Sequence, residues 1–107
     1  MAFPPERNHK VSLDAAAVLT KGYRDVAPAG APRASLFPRE VFERLLAQPQ
    51  CAGIRIYYGR NDRREHELLL VGVNEVGDDM TTGELFDFGI PCPPYCGGDN
   101  TLNGGKT

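Results

Sequence analysis

The amino-acid sequence predicts one α+β domain, with two N-terminal helices packed on a small antiparallel sheet of two or three strands. Two observations predict this fold: segments 12–25 and 38–48 have helical periodicity, and segment 52–76 has the pattern of a β-hairpin. With 107 residues, the chain has room for one domain and a modest core. We therefore expect an extended arm at 1–10, a globular part at 11–88 and a Pro-, Cys- and Gly-rich tail at 89–107.

The two helices are predicted from caps as well as from periodicity. Ser12 is placed to cap the first helix, and Asp14 lies in its first turn, where the helix dipole favours a carboxylate. Pro38 suits the first turn of the second helix, which ends before Pro49. The segment 27–35 between them is a linker by composition. The first helix is expected to bury one apolar stripe, formed by Ala16, Leu19, Tyr23 and Val26.

The hairpin begins with a strand whose side chains alternate between two faces. They are Ile54, Ile56 and Tyr58 on one face, and Arg55 and Tyr57 on the other. A turn signal at 59–62 separates this strand from a second one at about 65–74, which is apolar on both faces between Leu68 and Val73. A short third strand is predicted within 80–85. Because an isolated hairpin is marginal in water, we expect the tail or a neighbouring copy to cover the second strand.

The charge of the chain is divided unevenly along its length. Residues 1–64 contain 11 basic and six acidic residues, a net +5, whereas residues 65–107 contain one basic and eight acidic residues, a net −7. Such halves can pair within one molecule or between copies. No basic run is interleaved with aromatic residues, so nucleic acid is not an expected partner.

The sequence gives no sign of a membrane or export signal. Its longest apolar run, 68–73, is far too short to span a bilayer, and the first residues lack a basic segment followed by an apolar one. We therefore expect a cytoplasmic protein with no membrane partner. A chain exported without a cleaved signal would have the same features.

Several segments resemble a group of small bacterial proteins, chiefly from Bacteroidota. The likeness covers most of the chain, and the Ile-Arg-Ile-Tyr-Tyr-Gly stretch is its most specific part. It is carried by His9-Lys-Val-Ser-Leu with Tyr23-Arg24, by Gln48-Pro-Gln-Cys-Ala-Gly-Ile-Arg-Ile-Tyr-Tyr-Gly, by Leu70-Val-Gly-Val-Asn with Gly77-Asp-Asp-Met, and by Pro91-Cys-Pro-Pro-Tyr-Cys. The resemblance implies no activity, cofactor or catalytic residue.

The cysteines allow three interpretations. Cys92 and Cys96 are separated by three residues, and with the distant Cys51 and His66 they would supply a Cys3His ligand set suited to zinc. A disulfide between Cys92 and Cys96 would leave Cys51 free and is typical of exported proteins. The third interpretation, which we favour narrowly, is three ordinary thiols. We therefore expect no cofactor, with zinc as the alternative.

Catalytic chemistry has only weak candidates. His66, flanked by Glu65 and Glu67, would be a general base, with Cys51 as its nucleophile. The sequence reveals no orienting Asn or Asp and no oxyanion loop, so we predict no catalytic residue and no enzyme. An acidic cluster offers oxygen ligands for Ca²⁺ or Mg²⁺, but its spacing does not fit a calcium-binding loop and we interpret it as acid-rich turns. It consists of Asn74, Glu75, Asp78, Asp79, Glu84 and Asp87.

The predicted function is that of a non-enzymatic structural or interaction module that self-associates through its sheet and terminal arms, as a homo-oligomer or a higher-order assembly. The expected interface combines an outward Arg and Tyr pair, apolar residues of the second strand and part of the tail: Arg55, Tyr57, Leu69, Val71, Pro93, Pro94 and Tyr95. The alternative is a small metal- or redox-linked regulatory protein that uses Cys51, Cys92 and Cys96. A small-ligand binder or enzyme is the third interpretation.

Overall fold

The computed structural model describes residues 7–105 and has an α+β fold with two helices and two small antiparallel sheets. The first six residues of the predicted arm and the last two of the predicted tail lie outside the described part. The described chain divides into two compact units. One consists of residues 37–89, and the other of residues 7–36 together with 90–105.

The 37–89 unit contains helix α2 and a three-stranded sheet. Helix α2 covers Arg39–Ala47, and the strands are β2 (Cys51–Arg60), β3 (His66–Asn74) and β4 (Leu85–Phe86), in the order β2-β3-β4. The hairpin prediction is confirmed, although β2 runs two residues further than expected. The turn lies at 61–65 because the Asn61 side chain accepts hydrogen bonds from the backbone N–H groups of Arg63 and Glu65, at 2.9 and 3.0 Å.

Helix α2 contacts strands β2 and β3, and hydrogen bonds connect its C-terminal end to the rest of this unit. The Gln48 amide donates to the carbonyl of Leu45 and accepts the N–H of Glu84, at 3.0 and 2.9 Å. This amide passes so close to β3 that a Cβ at Gly72 would lie 2.8 Å from Gln48 Nε2. Glycine at this position therefore permits the close approach of helix end and strand. The helix also buries Leu45 completely and places Arg44 over the Phe86 ring.

The structure corrects one expectation about β3. We expected the helices to cover one face of the sheet, and the tail or a neighbouring copy to supply the remaining cover that this strand needs. Within the single chain, however, Leu70 is only 1% exposed and Val71 and Val73 are each 2% exposed. The central part of β3 therefore belongs to the core of one molecule, and only Leu68 and Leu69, nearer the turn, stay half-buried.

The second unit contains helix α1 and a two-stranded sheet. Helix α1 covers Leu13–Val26, and the Ser12 hydroxyl accepts the N–H of Ala15, as its predicted cap position requires. The strands are β1 (Ala34–Leu36) and β5 (Ile90–Cys92), which pair antiparallel with Ala34 opposite Cys92. Strand β1 lies across the end of the predicted linker, and β5 lies within the predicted tail. Neither strand was expected.

The predicted tail is attached to its own chain. Thr20 and Arg24 on α1 donate to the carbonyl of Leu102, at 2.8 and 3.0 Å. The Arg33 guanidinium donates to the carbonyl of Asn103 at 3.2 Å. Residues 90–105 therefore have contacts with β1 and α1 within a single molecule.

The predicted apolar stripe of α1 is not buried. Leu19 is 71% exposed and Val26 is 81% exposed, and α1 has no fully buried residue. The side of α1 that contacts the C-terminal segment carries Thr20 and Arg24 instead. None of the helices within residues 7–105 combines the length and the apolar character that crossing a bilayer requires.

Candidate functional site

Strand β2 forms one edge of the three-stranded sheet. Nine of its ten residues, all except Ala52, pair with β3 on one side, and no other strand within residues 7–105 pairs with the opposite side. Alternate residues of an edge strand direct their N–H and C=O groups away from the sheet. This outer edge of β2 is therefore a row of main-chain donors and acceptors that another strand could pair with.

A shallow groove lies beside the first half of β2. It has a volume of about 420 Å³ and is lined by the consecutive residues Gly53 to Ile56 and by Val73 of β3, which pairs with Gly53. The groove is mostly apolar, and Gly53 leaves its backbone uncovered, because a Cβ there would meet no atom within 4 Å.

The side chains beside the edge are apolar and aromatic. On the face shared with Leu70, Ile56 is 48% exposed and Tyr58 is 93% exposed, the highest value of any large apolar side chain described. On the other face, Tyr57 lies opposite Leu69 and is 44% exposed. The centre of β2 thus presents contact area that residues 7–105 do not use.

Arg55 and Tyr57 are joined by a third residue, Asp79. Arg55 Nη1 lies 2.5 Å from Asp79 Oδ1, and the Tyr57 hydroxyl donates to Asp79 Oδ2. Arg55 also donates to the carbonyl of Gly77 at 3.2 Å. The Tyr57 hydrogen bond, together with the Arg55 charge, lowers the pKa of Asp79, and the same hydrogen bond raises the pKa of Tyr57. Asp79 therefore stays ionised and compensates the only charge in the middle of β2.

The ends of β2 carry features that restrict pairing, and its centre does not. A register irregularity lies between Cys51 and Gly53, and Arg60 ends the strand beside the turn. Bulges and uncompensated charges are common means of protecting an edge from other strands. Between these ends the only charged side chain is Arg55, whose charge Asp79 compensates. The unprotected part of the edge is therefore centred on Ile56.

The other expected interface residues are placed less favourably. Val71 is buried in the core and cannot contact a partner directly, and Leu69 is half-buried under the sheet face opposite Tyr57. Pro93, Pro94 and Tyr95 belong to the second unit, where Tyr95 is exposed and its N–H donates to Pro91. Of the predicted set, only Arg55 and Tyr57 lie on the free edge.

The predicted four-ligand group is not assembled. Cys92 and Cys96 form a disulfide, so the narrowly favoured interpretation of three free thiols is wrong and Cys51 is the free cysteine. Cys51 opens β2, whereas His66 lies opposite Arg60 at the far end of the hairpin. The length of the strand, roughly 30 Å, separates the two, so they cannot share a metal ion or form a nucleophile and base pair.

Carboxylates of the predicted acidic cluster make separate contacts. Asp79 pairs with Arg55, and Glu84 pairs with Arg44. A hydrogen bond with Asp87 raises the pKa of Glu67, which also accepts from the Asn61 amide at 2.8 Å. Within residues 7–105, no three His, Cys, Asp or Glu side chains are grouped so that they could hold a metal ion.

Sequence reasoning missed the contact of Asp79 with the edge strand. Asp79 lies 24 residues after Arg55, in a turn that could be recognised only as acid-rich. The available signal was indirect: an Arg and a Tyr two residues apart on one face of a strand need an acceptor if they are not to stay in solvent. The structure supplies that acceptor from the turn after β3.

No family model, curated protein or solved structure matches this chain. The resemblance to small bacterial proteins therefore stays a prediction.

Proposed function

We propose that this protein is a non-enzymatic interaction module that self-associates by pairing the outer edge of β2 with the same edge of a second copy. The observation that carries the proposal is the ten-residue edge, whose centre is unpaired, apolar and compensated in charge. Neither β3 nor the tail supplies a reason for self-association, because the centre of β3 is buried within one molecule and residues 90–105 contact β1 and α1. The edge supports it independently of both.

Strand addition is the mode of association that this surface favours. Main-chain hydrogen bonds supply affinity along an edge, and alternate side chains supply specificity. A contact between two edge strands alone falls among small interfaces, below about 1,200 Å² in total. We therefore expect a reversible dimer that forms at micromolar or higher concentration rather than an obligate one.

A charge introduced at the centre of the edge should dissociate this dimer. In Ile56→Lys, the loss of apolar contact costs about 1 kcal/mol in each copy, or about 2 kcal/mol in the dimer. The dissociation constant should therefore rise roughly 30-fold. Sedimentation velocity over a concentration series measures this constant, and circular dichroism confirms that the variant is folded.

Two further variants make this experiment decisive. Tyr58→Lys changes the most exposed side chain of the edge, so it should weaken the dimer without disturbing the hairpin. Val76→Lys makes the same kind of change at an exposed apolar residue in the turn after β3, and it should leave the dimer intact. A wild-type protein that stays monomeric at millimolar concentration would overturn the proposal, as would equal effects of all three variants.

A second candidate function, redox-linked regulation, is supported by the surroundings of the disulfide. Cys92 is buried, Cys96 is half-buried, and the Arg33 guanidinium lies 3.8 Å from the Cys96 sulfur. A cation at this distance would stabilise a Cys96 thiolate after reduction by a thiol such as glutathione. Counting alkylated cysteines after incubation at graded glutathione potentials tests this candidate. A disulfide that stays intact at all cytosolic potentials would exclude it.

A further inference from the structure

We infer that the two β2 edges pair antiparallel about a two-fold axis that lies midway between the two copies of Ile56, here called the axis at or through Ile56. In this register Ile56 of one copy lies opposite Ile56 of the other, Arg55 lies opposite Tyr57, and Ile54 lies opposite Tyr58. The inference rests on the proposed self-association and specifies its register.

Symmetry first limits the registers that are allowed. Two identical antiparallel strands side by side are related by a two-fold axis perpendicular to the sheet. Directly opposite residues in an antiparallel pair point to the same face. The axis must therefore lie midway between a residue and the copy of the same residue directly opposite it. It cannot lie between two successive residues of the sequence, because opposite side chains would then point to different faces. The candidates in the centre of the strand are Ile54, Arg55, Ile56, Tyr57 and Tyr58.

The length of β2 then narrows these candidates to two. The register irregularity lies between Cys51 and Gly53 and the strand ends at Arg60, so the regular edge covers residues 53–60. An axis at Ile56 pairs residues 53–59 with their copies and an axis at Tyr57 pairs residues 54–60, so each leaves one residue of the regular edge without a partner. Axes at Arg55 or Tyr58 leave three residues of each edge without a partner, and an axis at Ile54 leaves five.

Charge and side-chain contacts then favour the axis at Ile56. An axis through Arg55 places two Arg55 side chains directly opposite each other, which is unfavourable. An axis through Tyr57 places Arg60 opposite Ile54 and leaves Arg55 opposite Gly59, where it gains no partner. The axis through Ile56 places Arg55 opposite the Tyr57 ring twice, in position for a cation–π contact. On the other face it aligns Ile54, Ile56 and Tyr58 with their copies in one apolar row.

Disulfide trapping tests the register in the full chain. Ile56→Cys, prepared with Cys51→Ser to remove the free thiol, should form a covalent dimer when oxidised glutathione is added. Cα atoms of directly opposite residues lie about 4.5–5.5 Å apart, within reach of a disulfide. The bond should form about tenfold faster than in Val76→Cys with the same background, because the axis holds the two thiols at a high effective concentration.

Two more variants fix the register independently. Tyr58→Cys alone should not cross-link faster than Val76→Cys, because the two copies of residue 58 are offset by four residues along the strand. A mixture of Tyr58→Cys chains with Ile54→Cys chains should cross-link rapidly between unlike chains, as mass spectrometry of the dimer would establish.

The outcomes separate this inference from the proposed function. Rapid cross-linking of Tyr58→Cys alone would overturn the register and leave the proposed self-association intact. The same conclusion would follow if sedimentation detected a dimer but neither Ile56→Cys nor the mixture cross-linked rapidly. A wild-type chain that sediments as a monomer at every concentration would overturn both.

Discussion

Asp79 is the residue on which the electrostatics of the edge strand depend. It accepts the Tyr57 hydroxyl and pairs with Arg55, which lies directly opposite the buried Val71. Without this carboxylate the guanidinium would be an uncompensated charge at the centre of β2, which is the usual way in which an edge is kept from pairing. A single turn residue thus makes the edge available for association.

The hydrogen bond from Tyr57 should be measurable in the titration of Asp79. Because this bond and Arg55 lower the pKa of Asp79, the carboxylate stabilises the fold above the ordinary aspartate pKa of about 3.9, and that stabilisation is lost as the pH falls through the lower folded-state value. In Tyr57→Phe, the pKa of Asp79 should rise toward the ordinary value. NMR of the side-chain carboxyl carbon follows this directly.

The matched control for this prediction is Tyr58→Phe. Tyr58 is the neighbouring residue on the opposite face, and its ring is almost fully exposed. Removing its hydroxyl should leave the pKa of Asp79 unchanged. If Tyr57→Phe and Tyr58→Phe gave the same titration curve as the wild type, the hydrogen bond would have no part in holding the edge residues together.

At the scale of elements, the sequence predicts what local signals determine. Helix α1 begins where Ser12 and Asp14 place it, helix α2 begins after Pro38, and the alternation around Ile56 identifies β2. Strands β1 and β5 were missed because each has three residues and pairs with a partner more than 50 residues away. Nothing in a three-residue segment reports such a contact, and Pro91 within β5 argues against a strand.

The same limit applies to the candidate site. The sequence placed Arg55 and Tyr57 on one face of the first strand of the hairpin, which was sufficient to propose them as interface residues. It did not reveal that β3 is covered within one chain, because burial depends on α2 and on how closely Gly72 allows Gln48 to approach. The expected interface also included residues of β3 and of the tail, and of that set only the two β2 residues lie on the free edge.

The disulfide should stabilise the second unit alone. Closing a five-residue loop constrains the unfolded chain by about 2 kcal/mol. In the double variant Cys92→Ser with Cys96→Ser, the hydrogen bond from Arg33 N–H to the carbonyl of Cys92, 2.6 Å long, should open more often. Its hydrogen-exchange protection should fall roughly 30-fold, which is the equivalent of that free energy.

Two controls distinguish a local effect of the disulfide from a general loss of stability. Cys51→Ser removes the free thiol in the 37–89 unit and should leave the protection of Arg33 unchanged. In the double variant, the amides of Leu70 and Val73 in β3 should keep their wild-type protection, since they belong to the other unit. Equal losses in β3 and at Arg33 would contradict the division of the chain into two separately stabilised units.

At the scale of the whole molecule, the uneven charge is partly compensated within the chain. Of the ion pairs described, those of Arg44 with Glu84 and of Arg55 with Asp79 each join the basic half to the acidic half. These pairs reduce the charge available for contacts between copies. End-to-end assembly of basic and acidic halves, which the sequence alone allowed, is therefore less favoured than pairing of edges.

Salt distinguishes these two modes of assembly. Screening acts over about 10 Å at 0.1 M salt and about 3 Å at 1 M, so contacts between exposed charges of different copies should be lost at high salt. Main-chain hydrogen bonds and apolar contacts of paired β2 strands should be little affected. We expect the dimer dissociation constant, measured by sedimentation velocity, to change less than about threefold between these salt concentrations.

The dissociation constant of Ile56→Lys should instead fall as salt is raised, because salt screens the two opposed lysines and partly restores the dimer of this variant. A wild-type assembly that grows beyond a dimer at low salt and dissociates at 1 M would instead establish charge pairing between halves, with the β2 edge left unused.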